Sequence, residues 1–173
     1  TVSRDGEVKI TAIWKYHKRP ANGAPFVYQG AELIPCEDDA GEVADYCIRA
    51  LNCIGHRYGP AHTEIIMTSD GPRLVEINLR WHNANFHPIV TKCIGYDALS
   101  TTLDAYLDPE KFNAIPQRPT LTCNGMIVHL ISTCEGKLAR FCRLNELHEL
   151  KSVLDYEFFY GIGSQVKKTV DIT

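Results

Sequence analysis

The sequence predicts an α+β chain, an antiparallel β-sheet with flanking helices plus a small C-terminal β lobe, and three observations carry that prediction. Residues 61–80 form two alternating strands about a tight turn. Residues 39–54 and 97–107 repeat apolar side chains at helical spacing. Beyond residue 120, short strand signals recur between turn residues. At 173 residues and 45% hydrophobic content, the chain can bury one core and a small appended lobe, and the natural division is 1–112 and 113–173.

Composition removes several classes of function. A net charge of −3 and a pI near 6.1 give no basic field for nucleic acid or an anionic membrane. No signal peptide and no apolar run of eighteen residues is visible. Partners are therefore expected to be small molecules or other proteins. Seven cysteines without a C-x-x-C pair argue against a disulfide framework and a structural zinc site, and fit free thiols in a reducing compartment such as the cytoplasm.

In chain order, the first element is a hairpin turning at Asp5-Gly6, with its first strand mostly missing and a returning strand from Val8 to Arg19 whose Val8, Ile10, Ala12 and Trp14 share a face. The chain starts at Thr1 without Met, as if cut inside that hairpin. Lys15, His17, Lys18 and Arg19 end the strand as a basic cluster, readable as an aggregation-resistant edge or as a nucleotide- or substrate-facing group. Residues 20–35 read as a loop bracketing Phe26-Val27-Tyr28. A helix follows, with a capping pattern at Asp39-Ala40-Gly41-Glu42, an inner stripe of Val43, Cys47, Ala50, Leu51 and Ile54, and an end at Gly55 to Gly59. Cys47 and Cys53 are expected as small buried hydrophobes, and His56 as a capping residue at the helix's negative pole.

The stretch from Ala61 to Asn85 carries the chemistry. Thr63, Ile65 and Met67 form one apolar set, and Val75, Ile77 and Leu79 alternate with Glu76, Asn78 and Arg80. A two-residue Asp70-Gly71 loop would set Glu64 against Ile77. A three-residue Ser69-Asp70-Gly71 loop sets Glu64 opposite Glu76 and His62 opposite Asn78, and keeps Val75, Ile77 and Leu79 on the buried side, so it is the register expected. Directly opposed carboxylates have Cβ atoms only ~5 Å apart and repel unless a cation sits between them. Mg²⁺ suits such a pair, since it takes one or two carboxylates and completes its shell with water and substrate phosphates. Asn78 can add a carbonyl oxygen, and the planar fork of Arg80 suits phosphate or carboxylate. A solvated hairpin face with a surface ion pair is the plainer alternative.

Glu64, the Asp-Gly turn and then Glu76-Ile77-Asn78-Leu79-Arg80 resemble the metal-binding hairpin of the ATP-grasp superfamily, in particular its carboxylate-amine ligases. The resemblance implies that Glu64, Glu76 and Asn78 hold Mg²⁺, or Mn²⁺, on the phosphates of ATP, and that Arg80 is the catalytic cation contacting the transferred phosphate or an acyl phosphate. It further implies the C-terminal part of an ATP-grasp domain over residues 1–112, with the remaining N-terminal lobe of the same polypeptide supplying the nucleotide-binding lysines and Gly-rich loop absent here. Carboxylate and amine small molecules are the substrates implied, joined as an amide or peptide, and oligomerisation is compatible with it. The fragment alone is expected to be inactive. The competing reading is a divalent-cation-binding or structural fragment with no nucleotide dependence.

The loop Trp81 to Pro88 directly follows the expected metal strand, which makes His82 and Asn83 candidate substrate contacts. Trp and His stand where the family commonly has Gly, and the five-residue spacing of His82 and His87 argues against a metal pair. A second helix is expected from Asp97, its N-cap, to Leu107, with Leu99, Thr102, Leu103 and Tyr106 inward and Asp108-Pro109 as its stop. Residues 114–120 read as a linker. The β lobe then takes strands at Gly125–Ile131, Lys137–Phe141, Val153–Tyr160 and Gln165–Ile172, with a Glu135-Gly136 turn and at most a helical turn over Leu144–Leu150. No stop signal marks the end at Thr173, where a second cut is suspected.

Overall fold

The computed structural model describes residues 1–171; Ile172, the last residue of the final expected strand, and Thr173 lie outside the described residues. In chain order the elements are β1 (Val2–Arg4), β2 (Glu7–Lys9), β3 (Trp14–Ala21), β4 (Ala24–Leu33), α1 (Asp38–Cys53), β5 (Gly59–Pro60), β6 (His62–Thr68), β7 (Gly71–Asn78), α2 (His87–Ile94), α3 (Ala98–Leu107), α4 (Pro109–Ala114), β8 (Gly125–Val128), β9 (Gly136–Lys137), α5 (Leu144–Glu149) and β10 (Gln165–Val166). They fall into two compact units, residues 1–15 with 33–125 and residues 16–32 with 126–173. A cut at 112/113 therefore does not follow the packing, because an early hairpin groups with the C-terminal segment. Among the described residues no helix is long and apolar enough to cross a membrane.

The first unit is built on two small antiparallel sheets, β2-β1-β5 and β6-β7. Asp5 and Gly6 turn β1 into β2 with positive φ at both residues, as the Asp-Gly signal predicts. The returning strand stops at Lys9 instead of running to Arg19. Lys9 is buried, ion-paired to Glu7 at 2.6 Å and placed over the Phe112 ring, and the next amide, of Ile10, donates to Gln117 O. The backbone has left its ladder for a new partner, so alternation alone cannot carry the strand further.

Helix α1 covers this unit's core. Its N-cap is Glu37 without a side-chain cap bond, and not Asp39; Asp38 and Asp39 lie in the first turn, where the helix dipole favours acids. Cys47 and Leu51 pack with Val8 and Ala61, and Ile48, Ile65 and Ile77 close over them. Full burial of Leu51 contributes roughly 1.5–3 kcal/mol. Ile54 and Cys53 are exposed, contrary to the expected stripe, because the helix ends at residue 53 and Gly55 turns the chain away. The His56 ring does not cap the helix: it meets Gly59 O at 3.1 Å, and only the His56 amide reaches back, donating to Leu51 O at 3.0 Å.

Helix α2 begins at the end of the expected loop, at His87 and Pro88, and runs on through residues 89–94, for which no element was expected. Its Pro at the first turn and its left-handed Gly95 cap are ordinary boundary signals enclosing only eight residues. Asp97 caps α3 as expected, with a full capping box to Ser100. Burial pushes the Asp97 carboxyl up, but hydrogen bonds from Ser100, Thr91 and Leu99 and the nearby His87 together hold it below its ordinary value. The inner face of α3 is Thr101, Thr102 and Ala105, with Ala105 against Val2 and Phe112; Leu103 and Tyr106 are exposed and Leu99 is at the edge of exposure. The small residues face inward because β1 and α4 approach too closely for larger ones. Asp108-Pro109 ends α3 and at once begins α4.

In the second unit, β3 takes up the last part of the strand expected to Arg19 and pairs in a hairpin with β4, which lies where a loop was expected, and β8 joins β4 in a sheet of order β3-β4-β8. The turn is Asn22-Gly23, both with positive φ. Asn22 Nδ2 also donates to Ser132 O at 2.8 Å and Thr169 O at 2.7 Å. The basic cluster is engaged structurally: His17 meets Glu32 at 2.8 Å, and Lys18 Nζ lies 4.1 Å from the Tyr28 ring centre. Beyond residue 128 the strands are shorter than expected. β9 and β10 pair over two residues each, residues 153–160 are irregular, and α5 is a six-residue helix. Phe159 is 85% and Leu130 76% exposed, so apolar alternation there has no layer within the unit to pack against.

Candidate functional site

The β6-β7 hairpin brings the sequence-predicted carboxylates face to face. His62 lies opposite Asn78, Thr63 opposite Ile77 and Glu64 opposite Glu76, the register expected. The turn that produces it differs. Thr68 pairs with Gly71, which leaves a two-residue Ser69-Asp70 loop, tied by Thr68 Oγ1 accepting from the Asp70 amide and donating to Gly71 O. That frame alone would put Glu64 opposite Val75. A register shift between Glu64 and Ile65 leaves Val75 as an extra residue on β7, and this bulge restores the Glu64–Glu76 pair.

The bulge also sorts the side chains. Ile77 packs inward beside Ile65, as expected, but Val75 is 54% and Leu79 60% exposed, and Met67 is exposed too. Val75 is turned out as the unpaired bulge residue, and Leu79 lies past the end of β7. Glu64 is partly buried and Glu76 exposed, on the opposite side from Ile65 and Ile77.

One ligand atom each from His62, Glu64 and Glu76 lie within 4.8 Å of one another. His62 Nε2 is 3.9 Å from Glu64 Oε1. Asn78 Nδ2 donates to Glu76 Oε1 at 2.7 Å, which leaves its side-chain carbonyl as the amide's ligand atom. Two opposed carboxylates, an amide oxygen and an imidazole fit a divalent cation in chemistry and spacing. His62 was not singled out as a site residue in the sequence. Its signal was there: it shares a strand face with Glu64 and sits opposite Asn78.

Arg80 follows β7 immediately. Its amide donates to Asn78 O at 2.8 Å, and Nη1 donates to Trp81 O at 2.8 Å. His82 is held in a column of rings, edge-on to His62 at 4.6 Å and stacked on Phe86 at 4.1 Å, with Trp14 beyond at 4.4 Å from Phe86. Burial, then His62 and then Arg80, bring the His82 imidazole down to about 4. Its Nδ1 accepts from the Ala84 amide at 3.0 Å, so the neutral ring presents Nε2–H. Burial also lowers His62, and Arg80 adds to this against the opposing pull of Glu64 and Glu76. Both imidazoles are thus neutral near pH 7, the state in which a ring nitrogen can bind a metal. Asn83 lies exposed on the following loop. His87 is drawn away to Asp97, 3.5 Å distant, and takes no part.

No family model matches the chain. In sequence it is similar to dapdiamide A synthase from Enterobacter agglomerans, 26% identical over 176 residues, a match covering 99% of this chain and 41% of that enzyme. In structure it is similar to the L-amino acid ligase from Bacillus licheniformis, with a TM-score of 0.78 and 19% identity, over 96% of this chain and 43% of the ligase. The chain therefore spans about two fifths of the length of the relatives it matches.

Proposed function

We propose that the chain is the metal-binding part of an ATP-grasp, ATP-dependent carboxylate-amine ligase, a reading supported by its similarity to dapdiamide A synthase and by the mixed helix and antiparallel-sheet fold it shares with an L-amino acid ligase. The observation that carries this reading is the Glu64–Glu76 pair facing across β6-β7, with His62 converging on the same point. Glu64 and Glu76 would hold Mg²⁺ or Mn²⁺, Asn78 would turn its carbonyl oxygen to the ion, and His62 would stand beside them as a nitrogen donor. When bound, the ion neutralises phosphate charge on ATP as the phosphoryl group is transferred.

The roles left to this chain's side chains follow from their chemistry. Arg80 would offer its guanidinium to the transferred phosphoryl group or to an acyl phosphate made from the substrate carboxylate, releasing its exposed bond to Trp81 O to do so. An amine would then displace phosphate and give an amide. His82, fixed by Phe86 and Ala84 and close enough to feel the Arg80 charge, is one candidate contact for the polar end of a substrate. Asn83, on the same loop, is the second candidate contact. The substrates proposed are a small-molecule carboxylate and an amine, and the nucleotide-binding lysines would come from elsewhere in the polypeptide.

Thermal unfolding with Mg²⁺, with ATP and with both tests the reading. A shift with both that exceeds the sum of the separate shifts is expected; a shift with metal alone and none from nucleotide, in a polypeptide that includes the nucleotide-binding lobe, sinks the ligase and leaves a cation-binding module. In that longer polypeptide, Arg80→Ala is expected to slow turnover by about 10²–10³-fold, a loss of roughly 3–4 kcal/mol of transition-state stabilisation, with metal affinity retained. Unchanged turnover removes Arg80 from the mechanism.

A further inference from the structure

Seven thiols are free, and two of them touch away from the acidic pair. Cys93 Sγ, in α2, lies 3.4 Å from Cys123 Sγ in the segment leading to β8. Cys93 is buried and Cys123 exposed. The contact is fixed from both sides. The Thr122 amide and hydroxyl both bond to Cys93 O, at 2.7 and 2.9 Å, so the backbone next to Cys123 is tied to the backbone of Cys93. Gly125 makes the approach sterically feasible: a Cβ there would sit 2.8 Å from both Cys93 Sγ and Ile89 Cγ1. A side chain at position 125 would push the segment off α2 and separate the sulfurs.

We propose that Cys93 and Cys123 are a redox-modification site, closed to a disulfide by a low-molecular-weight disulfide such as oxidised glutathione and reopened by thiols. The sulfurs need to close by only about 1.4 Å to reach a bond of ~2.05 Å. The exposed Cys123 reacts first: its thiolate attacks the small disulfide, forming a mixed disulfide and releasing one thiolate. Cys93 then loses its proton to solvent and attacks Cys123 Sγ, the new S–S bond forming as the second small thiolate leaves. Two protein thiols are oxidised and one small disulfide is reduced to two thiols. Burial and the Cys123 contact hold the Cys93 thiol up at about 11, which makes it the poorer first nucleophile, and its place 3.4 Å from Cys123 Sγ is what fits it to the resolving step. The bond would close a loop of 30 residues that carries α3 and α4.

The test is a peptide map of the folded protein after oxidised glutathione, with remaining thiols alkylated. The expected product is the Cys93–Cys123 cross-linked peptide, two hydrogens lighter than its parts, lost again on dithiothreitol. Cys93→Ala is expected to hold glutathione stably on Cys123, and Cys123→Ser to leave Cys93 reduced. Persistent glutathione on Cys123 of the wild-type protein with Cys93 still alkylated, or Cys123 joined to another cysteine, overturns the proposal; the wild-type map decides this even if a variant fails to fold.

Discussion

Two hairpins in the first unit carry the same Asp-Gly dipeptide and use it differently. In β1-β2, Asp5 and Gly6 are the two loop residues, and Arg4 pairs with Glu7. In β6-β7 the loop slides one residue upstream to Ser69-Asp70, and Gly71, with φ of 89°, becomes the first residue of β7. The first hairpin stays regular to Val2 and Lys9. The second absorbs an extra residue at Val75, and only beyond that bulge do Glu64 and Glu76 face each other. An Asp-Gly signal thus fixes that the chain reverses, but not the frame in which it does so. Where like charges end up opposed, a bulge has placed them.

The comparison can be broken first at the acids. Glu64→Gln is expected to abolish stabilisation by Mg²⁺, about 2.7 kcal/mol at a metal concentration a hundred times Kd, while the β1-β2 hairpin is untouched. Thermal unfolding with and without Mg²⁺ reads this, and an undiminished metal shift removes Glu64 from the ligand set. Next come the glycines. Gly71→Ala and Gly6→Ala each force a side chain into left-handed backbone at roughly 1–2 kcal/mol. Gly71→Ala should be the worse, since its Cβ would lie 3.1 Å from Glu42 Oε1 whereas that of Gly6 meets nothing within 4 Å. Urea midpoints of the two variants decide; equal losses would mean that Glu42 simply swings aside.

Smaller effects sharpen the picture. Without metal, Glu64→Gln should raise stability by ~0.2–1 kcal/mol, because one of two opposed charges is gone. A fall in metal-free stability would show that the pair is not repulsive. Deleting Val75 should change stability least and leave the Mg²⁺ response intact, since the pairings on either side then become continuous, with Glu76 still opposite Glu64. Loss of the metal response in that deletion would assign the bulge a role in aiming the carboxylates, read by Mg²⁺ titration.

The acidic pair was legible because the frame that buries Ile77 also sets Glu64 opposite Glu76, although the Ser69-Asp70 loop is neither of the turns weighed and reaches that pairing only through a bulge. The bulge was not, because no residue type marks it. The β3-β4 hairpin escaped notice although Asn22-Gly23 is a strong turn signal; Pro20, Pro25 and Pro35 outweighed it in a reading by composition. Pro20 and Pro25 are compatible with strands there because they lie within two residues of the turn. Helix α2 was too short to show a period. In α3 the pattern pointed to Leu103 and Tyr106 while the packed face is Thr101 and Ala105, since the space available, and not hydrophobicity, selected the inner residues. His62 escaped although the expected register already set it opposite Asn78, because the hairpin was matched on its carboxylates, amide and guanidinium and not on its imidazole.

The second compact unit joins residues 16–32 to residues 126–173, and this has a consequence on the ribosome. The β3-β4 ribbon is synthesised over ninety residues before β8 exists to cover the open side of β4, a delay of roughly 5–20 s at ordinary elongation rates of about 5–20 residues/s. Throughout that interval the nascent chain carries an uncovered ribbon edge with Phe26 beside its turn, the place where a holding chaperone would have most to shield.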